Sequence, residues 1–270
     1  MKAVVLARGL GRRMRDATPS ARLTSSQLAA ADAGLKSMLP IGNGQGHPFL
    51  DYVLSALADA DCLDVCLVLG PEHDAVRRHY EGQGRPRRVQ LSFAEQTTAD
   101  GTARAVLAAR NFVAGDPFLA LNADNLYPAG VLRALAGLDG PGLAAFERGA
   151  LADESGFPAE RVAAFALLDV EEGRLRRIIE KPTPERMAAA GAHALVSMNV
   201  WRFDHRILEA CRDVPVSARG EHELPEAVAL ALTRGVEFRA IPARGPVLDL
   251  SRRSDIAAVT RRLAGREPRP

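Results

Sequence analysis

Two carboxylates, three lysines and a glycine turn carry the chemical signal of this chain. Of 35 basic residues only Lys2, Lys36 and Lys181 are lysine. A chain that writes its positive charge as arginine yet keeps lysine at such points suggests a need for a compact ammonium there. The stretch Arg8-Gly9-Leu10-Gly11-Arg12-Arg13-Met14-Arg15 joins two glycines, two apart, to four arginines. Glycines let a backbone turn sharply and approach a ligand, and successive N–H groups in such a turn cradle an anion. A dinucleotide-binding turn would carry a third glycine where Met14 stands, so a polyphosphate is the better match.

Further along, Leu121-Asn122-Ala123-Asp124 places a carboxylate just past an apolar run, where open α/β sheets bind their ligands. An aspartate there can hold Mg2+, a hard cation that shares its oxygen ligands with phosphates, or it can cap the next helix. Glu95-Gln96-Thr97-Thr98-Ala99-Asp100-Gly101-Thr102 sets an amide and a glycine between a strand and a helix. Gln96 can both donate to and accept from a base edge, and Gly101 lets backbone come close; alone, the run is an ordinary loop. Glu180-Lys181-Pro182 is either a phosphate-binding lysine with its acid or a surface ion pair. Glu221 and Glu223 face a substrate or form a helix cap. Trp201, the single tryptophan, reads as packing. The histidines show no metal or dyad spacing, and His73, His79 and His205 are expected at the surface.

The elements that must position these residues follow from periodicity. Apolar runs over 2–7, 63–69, 88–93 and 117–121 suit buried strands, and helical spacing fills 47–61, 71–80, 102–112 and 128–138. That alternation predicts an α/β fold with a doubly wound, mostly parallel, Rossmann-like sheet. Residues 16–33 are expected to form a mobile lid holding a short helix at 25–33. The second part reads as a mixed sheet. It has strands at 142–147, 192–203, 236–241 and 246–250, and a hairpin of 162–170 with 174–179. Helices are expected at 204–212, 224–234 and 251–265. One domain over 1–265 is expected, with a first half (1–140), a second, substrate-binding half (141–265) and a frayed tail (266–270).

These motifs resemble the sugar-1-phosphate nucleotidyltransferases. Leu6-Ala7-Arg8-Gly9-Leu10-Gly11-Arg12-Arg13-Met14 is similar to their LAAGxGTRM signature, and Leu35-Lys36-Ser37-Met38-Leu39-Pro40-Ile41 to PKPMLPI. The runs at 95–103, 121–125, 180–182 and 197–203 match EQxxPxGTAxA, LxxDN, EKP and the sugar-side strand. Residues 247–251 keep only the aspartate of a late WxDxG element. Arg8 replaces an alanine, Ser37 a proline, and the gap before Lys36 is longer than usual.

The resemblance implies transfer of a nucleotidyl group from an NTP to a sugar or cyclitol 1-phosphate, with release of pyrophosphate. It implies a nucleotide site of Leu6, Ala7, Arg8, Gly9, Gly11, Gln96, Gly101, Thr102 and Asn122. Arg13, Lys36, Asp124 and Lys181 would be catalytic. Glu180, Lys181, Asn199 and Glu221 would take the sugar phosphate, and Asp124 with Asp249 would hold Mg2+. A homodimer is the candidate assembly. Two rivals remain: a transferase of the same fold acting on a non-sugar phosphate or a molybdenum cofactor, and an inactive nucleotide-binding regulator.

Composition agrees with a soluble enzyme. The 270 residues are 47% hydrophobic and 25% charged, enough for a large core. A net charge of +2 argues against nucleic-acid binding by bulk electrostatics. Three cysteines, odd in number and in apolar contexts, argue against a disulfide framework or a zinc site. No apolar run approaches the roughly 20 residues of a membrane span, and none opens the chain as a signal peptide would, so a cytoplasmic enzyme without a membrane partner is expected.

Overall fold

A computed structural model describes residues 1–9, 11–15, 23–42 and 46–270. Apart from a two-residue pair at Pro40–Ile41 and His47–Pro48, the strands in chain order are β1 (Lys2–Leu6), β2 (Asp64–Leu69), β3 (Gln90–Glu95), β4 (Phe118–Asn122), β5 (Asn125–Leu126) and β6 (Gly142–Glu147). After them come β7 (Leu167–Glu171), β8 (Arg174–Ile179), β9 (Leu195–Phe203), β10 (Arg239–Ala243) and β11 (Leu248–Asp249). Nine of them make one sheet in the order β3-β2-β1-β4-β9-β6-β10-β8-β7, while β5 pairs with β11 apart from it. The first four run parallel. β9 lies antiparallel to β4 and β6, which makes the sheet mixed beyond that point.

Parallel strands must be covered on both faces, and the side chains divide accordingly. Ala3 and Val5 of β1 enter one apolar cluster and Val4 the other. Helix α1 (Ser25–Asp32) comes early in the chain; α2 (Phe49–Asp59), α3 (Asp74–Glu81) and α4 (Thr102–Ala108) link the parallel strands in turn, and α5 (Ala129–Ala136) follows β4 and β5. Trp201 is fully buried against Phe203, so it packs as expected. Cys62, Cys66 and Cys211 are buried and free. Burial pushes their thiols up, to about 11 for Cys62 and about 12 for the other two.

Several expectations change. The strand expected from 162 begins only at Leu167, because α6 (Arg148–Ser155) and α7 (Ala159–Val162) come first. Pro158 opens the second of these, as its fixed φ allows. An unforeseen helix, α8 (Pro184–Ala190), starts where the Thr183 hydroxyl accepts from the Arg186 N–H at 3.3 Å. His73 is buried, not exposed. The tail is docked: the Pro270 carbonyl accepts from the N–H groups of Arg87 and Arg88 at 2.8 and 3.1 Å. Of the expected lid, residues 16–22 lie outside the described residues, and α1 forms its helical part. Three further helices are α9 (Arg206–Asp213), α10 (Leu224–Thr233) and α11 (Arg253–Leu263).

One buried acid gives a test of the fold. Asp51 of α2 accepts from the Tyr80 hydroxyl at 2.7 Å. Burial raises its carboxyl pKa; that hydrogen bond and the charges of His79 and His47 oppose the rise without cancelling it. A carboxyl raised in the folded state costs stability once it is ionised. Asp51→Asn keeps an acceptor for Tyr80 and removes the charge, so it should raise the melting temperature near neutral pH. The gain should vanish as pH falls to about 4, where the unfolded carboxyl also protonates. Thermal unfolding across that range decides it, and a lower melting temperature for the variant at neutral pH refutes the account.

Candidate functional site

The order β3-β2-β1-β4 places the first strand beside β4, and the chain leaves those two in different directions. Open α/β sheets bind ligands in the crevice such a divergence leaves. Leu6 is level with Val68 on one side and Asn122 on the other. Beyond it the Ala7 N–H reaches the Val68 carbonyl at 2.9 Å and the Ala123 N–H reaches the Leu6 carbonyl at 3.1 Å. A cavity of about 540 Å³ opens over these ends, within the roughly 300–1,000 Å³ usual for small-molecule sites. Its walls include Leu6, Ala7, Arg8, Gly9, Gly11, Arg13, Lys36, Gln96, Gly101, Thr102, Asn122, Asp124 and Glu221. Thirteen of the expected residues thus converge; Glu180, Lys181, Asn199 and Asp249 stand outside this wall.

At one end lie the glycine turn and Lys36. Gly11 has φ +60°, and a Cβ there would come within 2.5 Å of the Gly34 carbonyl oxygen. Only glycine lets the turn press so closely on residues 34–36. Gly9 has no such backbone need, and a Cβ on it would meet Lys36 Nζ at 3.7 Å, an ordinary contact. Its missing side chain instead leaves the loop open beside the ammonium. Lys36 Nζ forms an ion pair with Asp124 Oδ2 across the crevice. Met14, where a dinucleotide turn has glycine, is a buried anchor. Arg253 of α11 donates to the Met14 carbonyl at 2.7 Å and the Arg15 carbonyl at 3.2 Å, tying the turn to the last helix.

The β2–β3 side is different. Gln96 is buried, and its Nε2 donates to Asp100 Oδ1 and to the Gly101 carbonyl, each at 3.0 Å. Gly101 has φ +116°, and a Cβ would run into the backbone of His222. Arg8 lies on this side, away from Lys36 and Asp124. Its Nε donates to Glu72 Oε1 at 3.1 Å and its Nη2 to the Thr97 carbonyl at 3.3 Å. Burial alone would raise the Glu72 carboxyl, but the Arg8 hydrogen bond and charge bring it below its ordinary value. The Arg8 charge is therefore spent within the protein. Burial lowers the His73 pKa, with the charges of Arg8 and Arg15 adding to it against Glu72, and keeps that wall residue neutral.

The sugar-side residues gather around β8, β9 and the start of α10. Burial, then the charge of Glu223, raises the Glu180 carboxyl against Lys181 and Arg219. Glu221 lies 3.9 Å from Arg219, which itself lines the cavity. Lys181 and Asn199 both take left-handed backbone, with φ +45° and +57°. Asn199 sits where β9 slips register against β6, and its Oδ1 is buried without a partner among the described residues. Non-glycine residues held in this region cluster at functional sites. Arg219, Ser251 and His73 were missed from the sequence. Arg219, in a charged loop, carried a weak signal and the other two none.

The two aspartates suit a magnesium ion. Asp249 on β11 pairs with Asn125, and the Leu250 N–H donates to the Asp124 carbonyl at 2.8 Å. Burial and then the charge of Asp124 raise the Asp249 carboxyl, although Arg161 opposes them. A buried acid whose charge a neighbouring carboxylate disfavours matches the needs of Mg2+, which uses few protein carboxylates beside waters and phosphates. Arg161 Nη2 already stands 2.7 Å from Asp249 Oδ1.

Comparison with known proteins shows the family and the fold. The profile of the family described as "Nucleotidyl transferase" matches residues 2–250. A glucose-1-phosphate thymidylyltransferase of Streptomyces antibioticus is 30% identical over 100% of this chain and 68% of its own length. The UTP–glucose-1-phosphate uridylyltransferase AglF of Haloferax volcanii is 27% identical, covering 97% of this chain and 96% of its own. Against the low-salt glycan biosynthesis nucleotidyltransferase Agl11 of the same organism, 25% identical, this chain spans only 64% of the relative's length. Among solved structures, a UDP-glucose pyrophosphorylase from Acinetobacter baumannii superposes with a TM-score of 0.73 at 17% identity, over 97% and 92% of the two chains. No helix among the described residues is long and apolar enough to cross a membrane.

Proposed function

Because this chain belongs to the nucleotidyl transferase family, we propose that it joins an NTP to a sugar or cyclitol 1-phosphate and releases pyrophosphate. The observation that carries this reading is the Lys36–Asp124 pair beside Gly9, at the diverging ends of β1 and β4. An ammonium and a carboxylate there serve a reaction between two phosphates. A sugar-phosphate oxygen attacks the α-phosphorus in line, the bond to pyrophosphate breaks, and no covalent intermediate with the protein is needed. Catalysis then reduces to positioning and charge neutralisation.

In this reading Gly9, Gly11 and Arg13 take the β- and γ-phosphates. Gln96, Gly101 and Thr102 meet the base, with Leu6, Ala7, Arg8 and Asn122 around the nucleoside. Lys36 bridges the nucleotide and the incoming phosphate. Lys181 takes the sugar phosphate, and Glu180, Asn199 and Glu221 take the sugar hydroxyls. Asp124 and Asp249 would hold Mg2+, which when bound supplies positive charge against the α-phosphate.

Pyrophosphate release from five NTPs against a panel of sugar 1-phosphates tests the activity. Silence from every pair refutes it. Lys181→Ala should raise the KM for the sugar phosphate by roughly tenfold and leave that for the NTP unchanged, the mark of one lost phosphate contact. Equal shifts in both constants would remove Lys181 from the sugar side.

A further inference from the structure

The residue that stands on Asp249 is Arg161, and no motif in the chain singles it out. It leaves α7 and reaches two acids at once. Its Nη2 is 2.7 Å from Asp249 Oδ1, and its Nη1 is 2.8 Å from Asp255 Oδ1. A second hydrogen bond, from Nη2 to Asp255 Oδ2 at 3.3 Å, makes the Asp255 contact a two-point one. Asp255 is itself fixed, since its Oδ2 accepts from the N–H groups of Ser251 and Arg252 at 3.0 and 2.7 Å, at the start of α11. The Phe157 ring lies 5.2 Å beneath the guanidinium. Arg161 is thus held by a helix start, an acid and an aromatic face, and it stays in place whether or not Asp249 stays with it.

The contact with Asp249 is looser. Oδ1 is shut from solvent, yet no donor among the described residues meets it in hydrogen-bond geometry. It is a charge contact with a lone pair left over. Asp124, the other carboxylate, has its own cation in Lys36. Each acid of the pair therefore faces one basic residue, from a different segment, with Arg161 sharing its charge between Asp249 and Asp255.

We propose that Arg161 is a positioning residue that shields Asp249 from divalent cations in the ligand-free protein. A cation gains little from an acid already paired at close range, because the fixed guanidinium repels it. The shield keeps the two acids from repelling each other, and it makes capture of the cation depend on the phosphates that arrive with the nucleotide. This inference rests on the reading of Asp249 as a metal ligand.

Binding of Mn2+ to the ligand-free protein, followed by calorimetry and by the EPR signal of the free ion, tests it without turnover. Arg161→Gln should bind Mn2+ at least about tenfold more tightly than the natural chain, as loss of a neighbouring unit charge predicts. Arg161→Lys, which keeps the charge, should return the affinity to the natural level, which a purely structural role for the guanidinium would not do. Adding Asp249→Asn to Arg161→Gln should cancel the gain. If Arg161→Gln does not fold, Arg161→Met, which keeps the stem over Phe157, takes its place. An affinity unchanged by Arg161→Gln overturns the shield. A gain that survives Asp249→Asn overturns the metal role of Asp249 and the inference with it. Neither outcome depends on the pyrophosphate assay, whose failure would instead overturn the proposed reaction.

Discussion

Asp124→Asn should lower kcat by about a thousandfold with the fold intact, because in the proposed reaction it removes a charge at the reacting phosphates, and it takes away no core packing. The backbone around it is secured independently. The Asp124 carbonyl still accepts from the Leu250 N–H, and Asn125 still pairs with Asp249. The carboxylate is part-exposed and meets only the Lys36 ammonium among the described residues. Circular dichroism and the melting transition should therefore resemble those of the natural chain. Turnover above a tenth of the natural rate at saturating Mg2+ would remove Asp124 from the reaction.

Lys36 gives the second large effect, and here the replacement matters as much as the loss. Lys36→Ala should chiefly lower kcat, by about a hundredfold, since in the proposed reaction its charge counts most as negative charge builds between the two phosphates. Lys36→Arg should fall nearly as far. The Lys36 side chain runs beside Gly9, with Cε 3.6 Å and Nζ 3.7 Å from where a Cβ would lie, and ends on Asp124. That slot fits one small ammonium. A guanidinium is planar and wider, and its fork prefers to grip Asp124 at two points. Kinetics with each substrate varied in turn measure both variants. Natural activity in Lys36→Arg would make the scarcity of lysine in this chain meaningless at this position.

The parallel half was legible because its signals are local. Apolar runs broken by a glycine turn after 2–7 and by polar residues after 117–121 mark strands that end at a crevice, and the residues just past those ends line the cavity. Lys2 shows the limit of the composition argument. Its ammonium donates to the Phe112 and Val113 carbonyls at 2.7 and 3.1 Å, a structural duty with no phosphate in view. What stayed hidden depends on distant partners. His73 looked like a surface residue on the helix expected at 71–80, yet it is buried with the charges of Glu72, Arg8 and Arg15 around it. Arg161 and Arg253 are two arginines among many, and their importance comes from acids and carbonyls tens or hundreds of positions away. Residues 162–166 misled because an apolar stretch that short fits a helical turn as well as a strand.

The left-handed backbone at Lys181 and Asn199 has a bearing on laboratory selection. Each such residue costs about 1 kcal/mol relative to glycine, somewhat less for asparagine. A library screened for heat resistance should therefore enrich glycine at 181 and 199, where the strain is released at once. The same library screened for product formation should reject both changes, since glycine carries neither an ammonium nor an amide. Two sorts of one library would then disagree most sharply at these two positions, and a resurfacing effort guided by thermal data alone would remove them first.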